Sequence, residues 1–266
     1  MPELPELETI KQGLKSLKGL RISEIKVFWP RTVYERAERL EKQVLGKEIL
    51  EVSRRAKFLR FHFSNGLLWI HLRMTGKLLF DYQGSYERLR FFFDSGKTLS
   101  FVDPRKFGRI CFDQDASMER KLGLEPLTDG FNEKVLASIC QSRRQLKPLL
   151  LDQSKIAGLG NIYVDEALWL SGLHPKREAS TLKRAEIQSL KEAIVEVLKQ
   201  GIEHNGCSLG DHPDMNYLSV GRRPGKHQEH LKVFRRQGQA CSRCRTNIEK
   251  IRLAQRGTHF CPKCQR

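Results

Sequence analysis

Phe58-Leu-Arg-Phe-His-Phe-Ser-Asn-Gly-Leu-Leu-Trp-Ile-His-Leu72 decides the architecture of the first half of the chain. Leu59, Phe61 and Phe63 alternate with Arg60 and His62, the period of a half-buried strand, and Asn65-Gly66 supplies a tight turn into a second apolar run, Leu67 to Leu72. Leu89 to Phe93, Ser95-Gly96 and Leu99 to Val102 repeat the device. Residues 20–115 therefore read as antiparallel β-structure, a sandwich. Ahead of it, Leu7, Ile10, Leu14 and Leu17 recur at helical spacing behind Met1-Pro-Glu-Leu-Pro-Glu6, which predicts a short amphipathic helix at the start.

After Leu122-Gly-Leu-Glu-Pro126 the punctuation becomes helical. Phe131 to Cys140, Leu146 to Asp152 and, behind a Gly158-Leu-Gly160 turn, Asn161 to Leu170 read as helices. Ile187, Leu190, Ile194, Val197 and Leu198 form a further apolar stripe that ends at Gly201. Residues 205–230 are rich in Gly, His, Pro and Arg without periodicity, a long loop of the kind that is usually functional. The expected class is α+β multidomain. A helix and β-sandwich domain occupies 1–118, a helical domain with the long loop 125–230, and a small module 231–266.

Lys and Arg number 48 against 31 acids, a net charge of +17 that implies a polyanionic partner. The excess is concentrated at the end. Residues 217–266 hold 13 Lys and Arg against Glu229 and Glu249, a net +11, yet include Val233, Phe234, Ile248, Ile251, Leu253 and Phe260, as a folded module would. No apolar run approaches the ~20 residues of a membrane span, and the N-terminus lacks the basic and apolar regions of a signal peptide. The expected location is the cytoplasm, where seven cysteines are reduced and their spacing is read for metal first.

Cys241-x2-Cys244 and Cys261-x2-Cys264, sixteen residues apart, have the spacing of a four-thiolate site for one structural Zn2+. Unligated thiols or a redox pair are the alternatives. The intervening segment reads as a β-hairpin with Arg256 at its tip, while Cys111, Cys140 and Cys207 follow no ligand pattern. At the other end, removal of Met1 would expose Pro2 as a secondary amine with a pKa of ~8, partly unprotonated and nucleophilic at neutral pH. Glu3 and Glu6 stand where such an amine needs a general acid and an orienting carboxylate. Position alone is explained as well by a helix entry with acids in its first turn.

The chain resembles the Fpg/Nei DNA glycosylase family from end to end. The matching runs are Pro2-Glu-Leu-Pro-Glu6, Arg54-Arg-Ala-Lys-Phe58, His71-Leu-Arg-Met-Thr-Gly76, Asp103-Pro-Arg-Lys-Phe-Gly108, Leu150-Leu-Asp-Gln153, Gly158-Leu-Gly-Asn-Ile-Tyr163 and Ala254-Gln-Arg-Gly-Thr258. The resemblance implies an N-terminal helix and β-sandwich, a helix-two-turn-helix domain and a C-terminal β-hairpin zinc finger. It implies a bacterial base excision repair enzyme that excises oxidised purines, formamidopyrimidine and 8-oxoguanine, and cleaves the strand by β,δ-elimination. Pro2 would be the nucleophile, Glu3 the general acid, Glu6 a supporting carboxylate, and Lys57 and Arg256 phosphate-binding members of the catalytic set. His71, Lys147 and Asn161 would also face DNA, with Asn161 and Arg256 clamping the phosphate beside an extruded nucleotide. Met74, Arg105 and Phe107 match the family's wedge, in which two side chains fill the gap left by a flipped base and the arginine addresses the orphaned partner, although types alone would place Met74 and Phe107 in a core. The implied partner is damaged double-stranded DNA, bound by a monomer.

Between Cys207 and Gly238 the sequence departs from the family pattern: Pro224-Gly-Lys-His-Gln228 and Phe234-Arg-Arg236 replace an aromatic-containing lesion loop and a Tyr-Gly-Arg run. Asp214, Tyr217 and Arg222 are the candidates for base contact there. Two rival readings remain, a non-enzymatic zinc-ribbon nucleic-acid-binding protein and a pyrimidine-directed, Nei-like member of the family. Leu4 with Met74, Arg105 and Phe107 favours the purine-directed branch.

Overall fold

The structure, a computed structural model, describes residues 2–210 and 216–266. They form two compact units, 1–120 with 202–228, and 121–201 with 229–266. This grouping differs from the three-segment reading, because part of the long loop belongs with the β-sandwich and the cysteine-rich module belongs with the helices.

The first unit opens with α1 (Leu4–Gly13), entered from Glu3 in extended conformation with Pro5 in the first turn, where a missing N–H is harmless. Two antiparallel sheets follow. One has the order β1 (Ile22–Val27), β6 (Glu87–Phe93), β7 (Thr98–Val102), β5 (Lys77–Phe80). The other runs β2 (Glu51–Arg55), β3 (Phe58–Phe63), β4 (Gly66–His71), β8 (Arg109–Asp113), and a short helix α2 (Ala37–Val44) lies between β1 and β2 in sequence. The alternation of β3 is realised: Leu59, Phe61 and Phe63 are buried and Arg60 and His62 are not. Phe61 of β3 and Phe91 of β6 meet with ring centroids 6.2 Å apart, so the apolar faces of the two sheets share one core, which Leu7, Ile10, Leu14 and Leu17 join. Each fully buried Leu or Phe contributes about 1.5–3 kcal/mol.

The β3–β4 turn sits one residue earlier than the Asn65-Gly66 reading placed it. Phe63 pairs with Gly66, so Ser64-Asn65 is the turn and Gly66 the first residue of β4. Its φ of +149° and its closeness to Phe112 explain the glycine, since a Cβ would stand 2.7 Å from that ring.

The second unit contains α3 (Glu133–Cys140), capped by Asn132, whose side chain accepts the Val135 N–H, then α4 (Leu146–Leu150), α5 (Asn161–Ser171) and most of α6 (Arg184–Glu203). The chain ends in a hairpin of β9 (Glu249–Leu253) and β10 (Arg256–Phe260). Ala254 and Gln255 at its turn have φ of +46° and +61°, the sign that a two-residue type I′ turn requires. Arg256 therefore begins β10 directly after the turn rather than forming its tip, and remains exposed.

Candidate active site and nucleic-acid interface

The N-terminus of α1 is unusual for a helix end because its polar groups are inside. Pro2 is buried, and Glu3 and Glu6 are 2 % and 1 % exposed. Glu6 Oε2 accepts the Glu3 backbone N–H at 2.7 Å and Oε1 accepts the Cys207 N–H at 2.8 Å. Both Glu6 oxygens are engaged by backbone donors, and the Glu3 side chain accepts the Glu6 N–H in return, a reciprocal capping box at the helix start. Gly206 makes the approach possible: its φ is +78°, and a Cβ would lie 2.6 Å from the Glu6 side chain. The turn is tied in place by the Lys226 N–H to the His204 carbonyl and the His227 N–H to the Gly206 carbonyl, each 2.9 Å.

A second cluster lies on exposed loops of the same unit. Asp103 is fully buried, and its carboxylate accepts the Thr75 hydroxyl at 2.5 Å, the Arg105 N–H at 3.2 Å and the Gly108 N–H at 2.8 Å. It thereby ties the loop after β7 to the one carrying Met74. Met74 and Phe107 are 42 % and 46 % exposed, and the Arg105 guanidinium lies 4.7 Å from the Phe107 ring centre. Neither apolar side chain is part of the core.

His71 lies between two cations, Lys57 and Arg73, whose charges both act on its ring. His71 is buried against Phe58, edge to face at 4.6 Å, and its Nδ1 accepts the Arg73 N–H at 3.0 Å. Burial first, then the charges of Arg73 and Lys57, push its pKa down to about 3 from the usual 6.5. The ring is neutral with its proton on Nε2, a donor that does not titrate at physiological pH. Because the folded pKa lies below the unfolded one, the contribution of His71 to stability is complete above pH 6.5 and declines as pH falls towards 3. The expected cost is about 2 kcal/mol at pH 5. Urea unfolding of wild type and His71→Asn should show the wild type losing that much relative to the variant between pH 7.5 and 5; parallel stabilities across that window would refute the assignment.

In the second unit, two helices converge on the Arg256 hairpin. The Gly257 carbonyl accepts both Lys147 Nζ and Asn161 Nδ2 at 3.0 Å, so the residue beside Arg256 is fixed by α4 and by the first residue of α5. Lys147 also meets Asp165 at 2.6 Å, both side chains being 0 % exposed, and Asp165 accepts the His259 N–H at 2.9 Å. Asn161 follows Gly160 at the N-terminus of α5, where backbone N–H groups favour an anion. Glu166 accepts three successive N–H groups, from Lys232, Val233 and Phe234, at 2.7–2.9 Å, anchoring the chain that leads into the cysteine module.

Cys241, Cys244, Cys261 and Cys264 bring their sulfurs within 4.8 Å of one another. The pairs Cys241–Cys264 at 3.9 Å and Cys244–Cys261 at 3.4 Å are close to the edge of about 3.8 Å that a tetrahedron with 2.3 Å Zn–S bonds requires. The donor set fits a single structural Zn2+. Trp169 of α5 donates its indole N–H to Cys241 Sγ at 3.5 Å, and Arg243 stacks 4.0 Å over the same indole while capping the Trp169 and Leu170 carbonyls.

Comparison with known proteins places these clusters in a family. Residues 1–110 match the formamidopyrimidine-DNA glycosylase N-terminal domain, 122–212 its H2TH domain, and 238–266 a zinc finger found in FPG and IleRS. A formamidopyrimidine-DNA glycosylase from Protochlamydia amoebophila is 43 % identical, with both chains covered in full. The chain belongs to the formamidopyrimidine-DNA glycosylase family. Among solved structures, Lactococcus lactis Fpg in complex with abasic-site DNA aligns over the whole of both chains with a TM-score of 0.89 at 37 % identity. A mutant of that enzyme in complex with Fapy-dG DNA, likewise covered in full, gives 0.90 at 38 %. The α+β arrangement expected from sequence, including the H2TH domain and the zinc-finger hairpin, is that of the family.

Two residues expected to contact DNA are buried in the structure. Lys147, expected at the DNA, has no exposed surface, and its ammonium is enclosed by Asp165 and the Gly257 carbonyl, so it sets the hairpin from behind. Tyr217, a candidate for base contact, is 8 % exposed, with its hydroxyl directed at the Glu6 carbonyl at 3.4 Å; burial, then the charge of Glu6, pushes its pKa up. Arg222 is exposed and directed at the Phe80 carbonyl at 3.4 Å, and Asp214 lies outside the described residues. Lys57 is 6 % exposed beside the Ala56 turn. Sequence reasoning missed the Cys207 N–H, Gly206 and the central position of Asp103 in the wedge loop. Only Asp103 carried a signal, as the first residue of the Asp103 to Gly108 run.

Proposed function

We propose that this chain is a bifunctional DNA glycosylase and AP lyase of base excision repair, acting as a monomer on oxidised purines in damaged duplex DNA and working in the bacterial cytoplasm at the nucleoid. The observation that supports the reading is the burial of Pro2, Glu3 and Glu6 together, with both Glu6 oxygens held by backbone N–H groups; in this proposal Glu6 orients and Glu3 serves as the acid. After Met1 is removed, the Pro2 amine attacks sugar C1′ of a flipped nucleotide. The bond from C1′ to the base nitrogen breaks with its electron pair going to the base, and Glu3 gives a proton to the ring oxygen as the sugar opens. The amine proton passes to the released base; the resulting iminium acidifies C2′, loss of the C2′ proton expels the 3′ phosphate, and loss of the C4′ proton from the conjugated iminium then expels the 5′ phosphate.

Arg256, Asn161, Lys57 and His71 hold backbone phosphates, Lys147 and Asp165 fix the hairpin that presents Arg256, Met74 and Phe107 fill the space vacated by the damaged base, and Arg105 addresses the base left opposite it. No helix among the described residues is long and apolar enough to cross a membrane. The relatives solved with Fapy-dG DNA support the purine-directed branch over a Nei-like one. The test is borohydride reduction on a duplex with one abasic site. A covalent protein–DNA adduct is expected; a non-enzymatic zinc-ribbon protein gives none, and absence of adduct from Met1-free protein overturns the proposal.

A further inference from the structure

The wedge loop is held by more than its own motif. Asp103 has every polar group in use: besides its carboxylate contacts, its N–H donates to the Tyr86 carbonyl at 2.9 Å, and its carbonyl accepts Arg88 Nε at 2.7 Å. The Arg88 guanidinium extends to the Pro104 carbonyl at 3.5 Å, so one cation covers the two carbonyls that lead into Arg105. Tyr86, the residue receiving the Asp103 N–H, has φ of +69°, an uncommon conformation for a bulky side chain, and its ring lies under Arg88 at 5.9 Å. The β6–β7 register is irregular at the same point, between Glu87 and Leu89, which turns Arg88 towards the loop.

The arrangement closes on itself through Trp29. The Arg88 carbonyl accepts the N–H groups of Phe28 and Trp29 at 3.0 and 3.1 Å, and the Trp29 ring receives Lys106 Nζ at 4.2 Å. Lys106, between Arg105 and Phe107, has φ of +59°. A lysine in left-handed conformation directs its neighbours to opposite sides of the turn, and its stacking on Trp29 holds it there. Arg88 thus grips the entry of the loop while Trp29, hydrogen-bonded to Arg88, grips its crest.

We propose that Arg88 is a positioning residue that fixes the Asp103–Gly108 loop before DNA binds, so that Arg105 meets the base opposite the lesion in one geometry and selects among opposite bases. The inference rests on the wedge role of Arg105 given above. A guanidinium in a preset position can discriminate donor and acceptor patterns on the facing base; the same group on a mobile loop adapts to any of them.

The test measures single-turnover excision of 8-oxoguanine placed opposite cytosine and opposite adenine, together with borohydride trapping on a duplex whose two strands are both abasic at the target position and so present no opposite base. Arg88→Met should reduce the cytosine-to-adenine rate ratio by about tenfold, as loss of a charged hydrogen bond does. Its trapping on the base-free duplex should stay close to wild type, and Arg88→Lys should restore much of the ratio. Equal losses of Arg88→Met on all three substrates would mark a merely structural role and overturn the inference. Arg105→Ala separates the two levels. If it lowers the ratio and Arg88→Met does not, the positioning role fails alone; if neither changes the ratio, the wedge reading fails and this inference with it.

Discussion

Glu3→Gln protein should lose base excision by about 10²–10⁴-fold yet still form a borohydride-stable adduct with abasic DNA, whereas protein retaining Met1 should do neither. The two substrates differ in what remains to be broken. A damaged nucleotide keeps its glycosidic bond and closed sugar, so an amine at C1′ needs a proton for the ring oxygen as the electrons move. An abasic site is in equilibrium with an open aldehyde, with which an amine condenses unaided. Glutamine preserves the volume of Glu3 in a site only 2 % exposed and leaves its backbone N–H on Glu6, so the fold around Pro2 should survive the change. Rapid-quench excision and trapping on the same protein sample read the two steps. Wild-type excision by Glu3→Gln, or normal cleavage by the Met1-retaining form, would remove the assignment of these roles.

Removal of the metal should have an equally large effect at the other end of the chain. Chelation, or Cys244→Ser, should abolish detectable DNA affinity while the β-sandwich unit stays folded. A four-thiolate zinc site supplies about 10–16 kcal/mol of folding free energy to a module of this size, which buries little apolar surface of its own. Without it the β9–β10 hairpin keeps only its contacts with Lys147, Asn161 and Asp165 to hold Arg256 in place. The three tryptophans allow a local readout, since Trp29 and Trp69 lie in the sandwich unit and Trp169 touches Cys241 and Arg243. In a Trp29→Phe, Trp69→Phe background, zinc loss should change the Trp169 emission in step with the loss of affinity, while the far-ultraviolet β-signal of the sandwich persists. Unchanged affinity in protein shown by elemental analysis to be zinc-free would refute the prediction.

The two sheets were legible in the sequence because strand burial has period two: Leu59, Phe61 and Phe63 needed no tertiary knowledge to be placed inside. Turn positions were less so. The β9–β10 turn uses Ala254 and Gln255 in left-handed conformation, residues without the usual glycine signature, and the pattern alone therefore puts Arg256 at the tip. The zinc site was readable because metal geometry imposes short, fixed spacing on its ligands. Lys147 carries no such constraint: a lysine in a basic chain reads as a surface cation, and only the fold encloses it with Asp165. The Glu6 contact with the Cys207 N–H was invisible for a related reason. A side chain meeting a distant backbone group leaves neither periodicity nor spacing behind.

That contact also sets a clock on synthesis. Glu6 and Cys207 are 201 residues apart in the chain, so a ribosome adding ~5–20 residues per second makes the first of them roughly 10–40 s before the second. The N-terminal amine is among the earliest groups to emerge and among the last to be seated. A nascent or truncated product ending before Gly206 carries Pro2 but lacks the amide that holds Glu6 in place, so the proposed strand-cutting role of Pro2 would be confined to chains that are nearly complete.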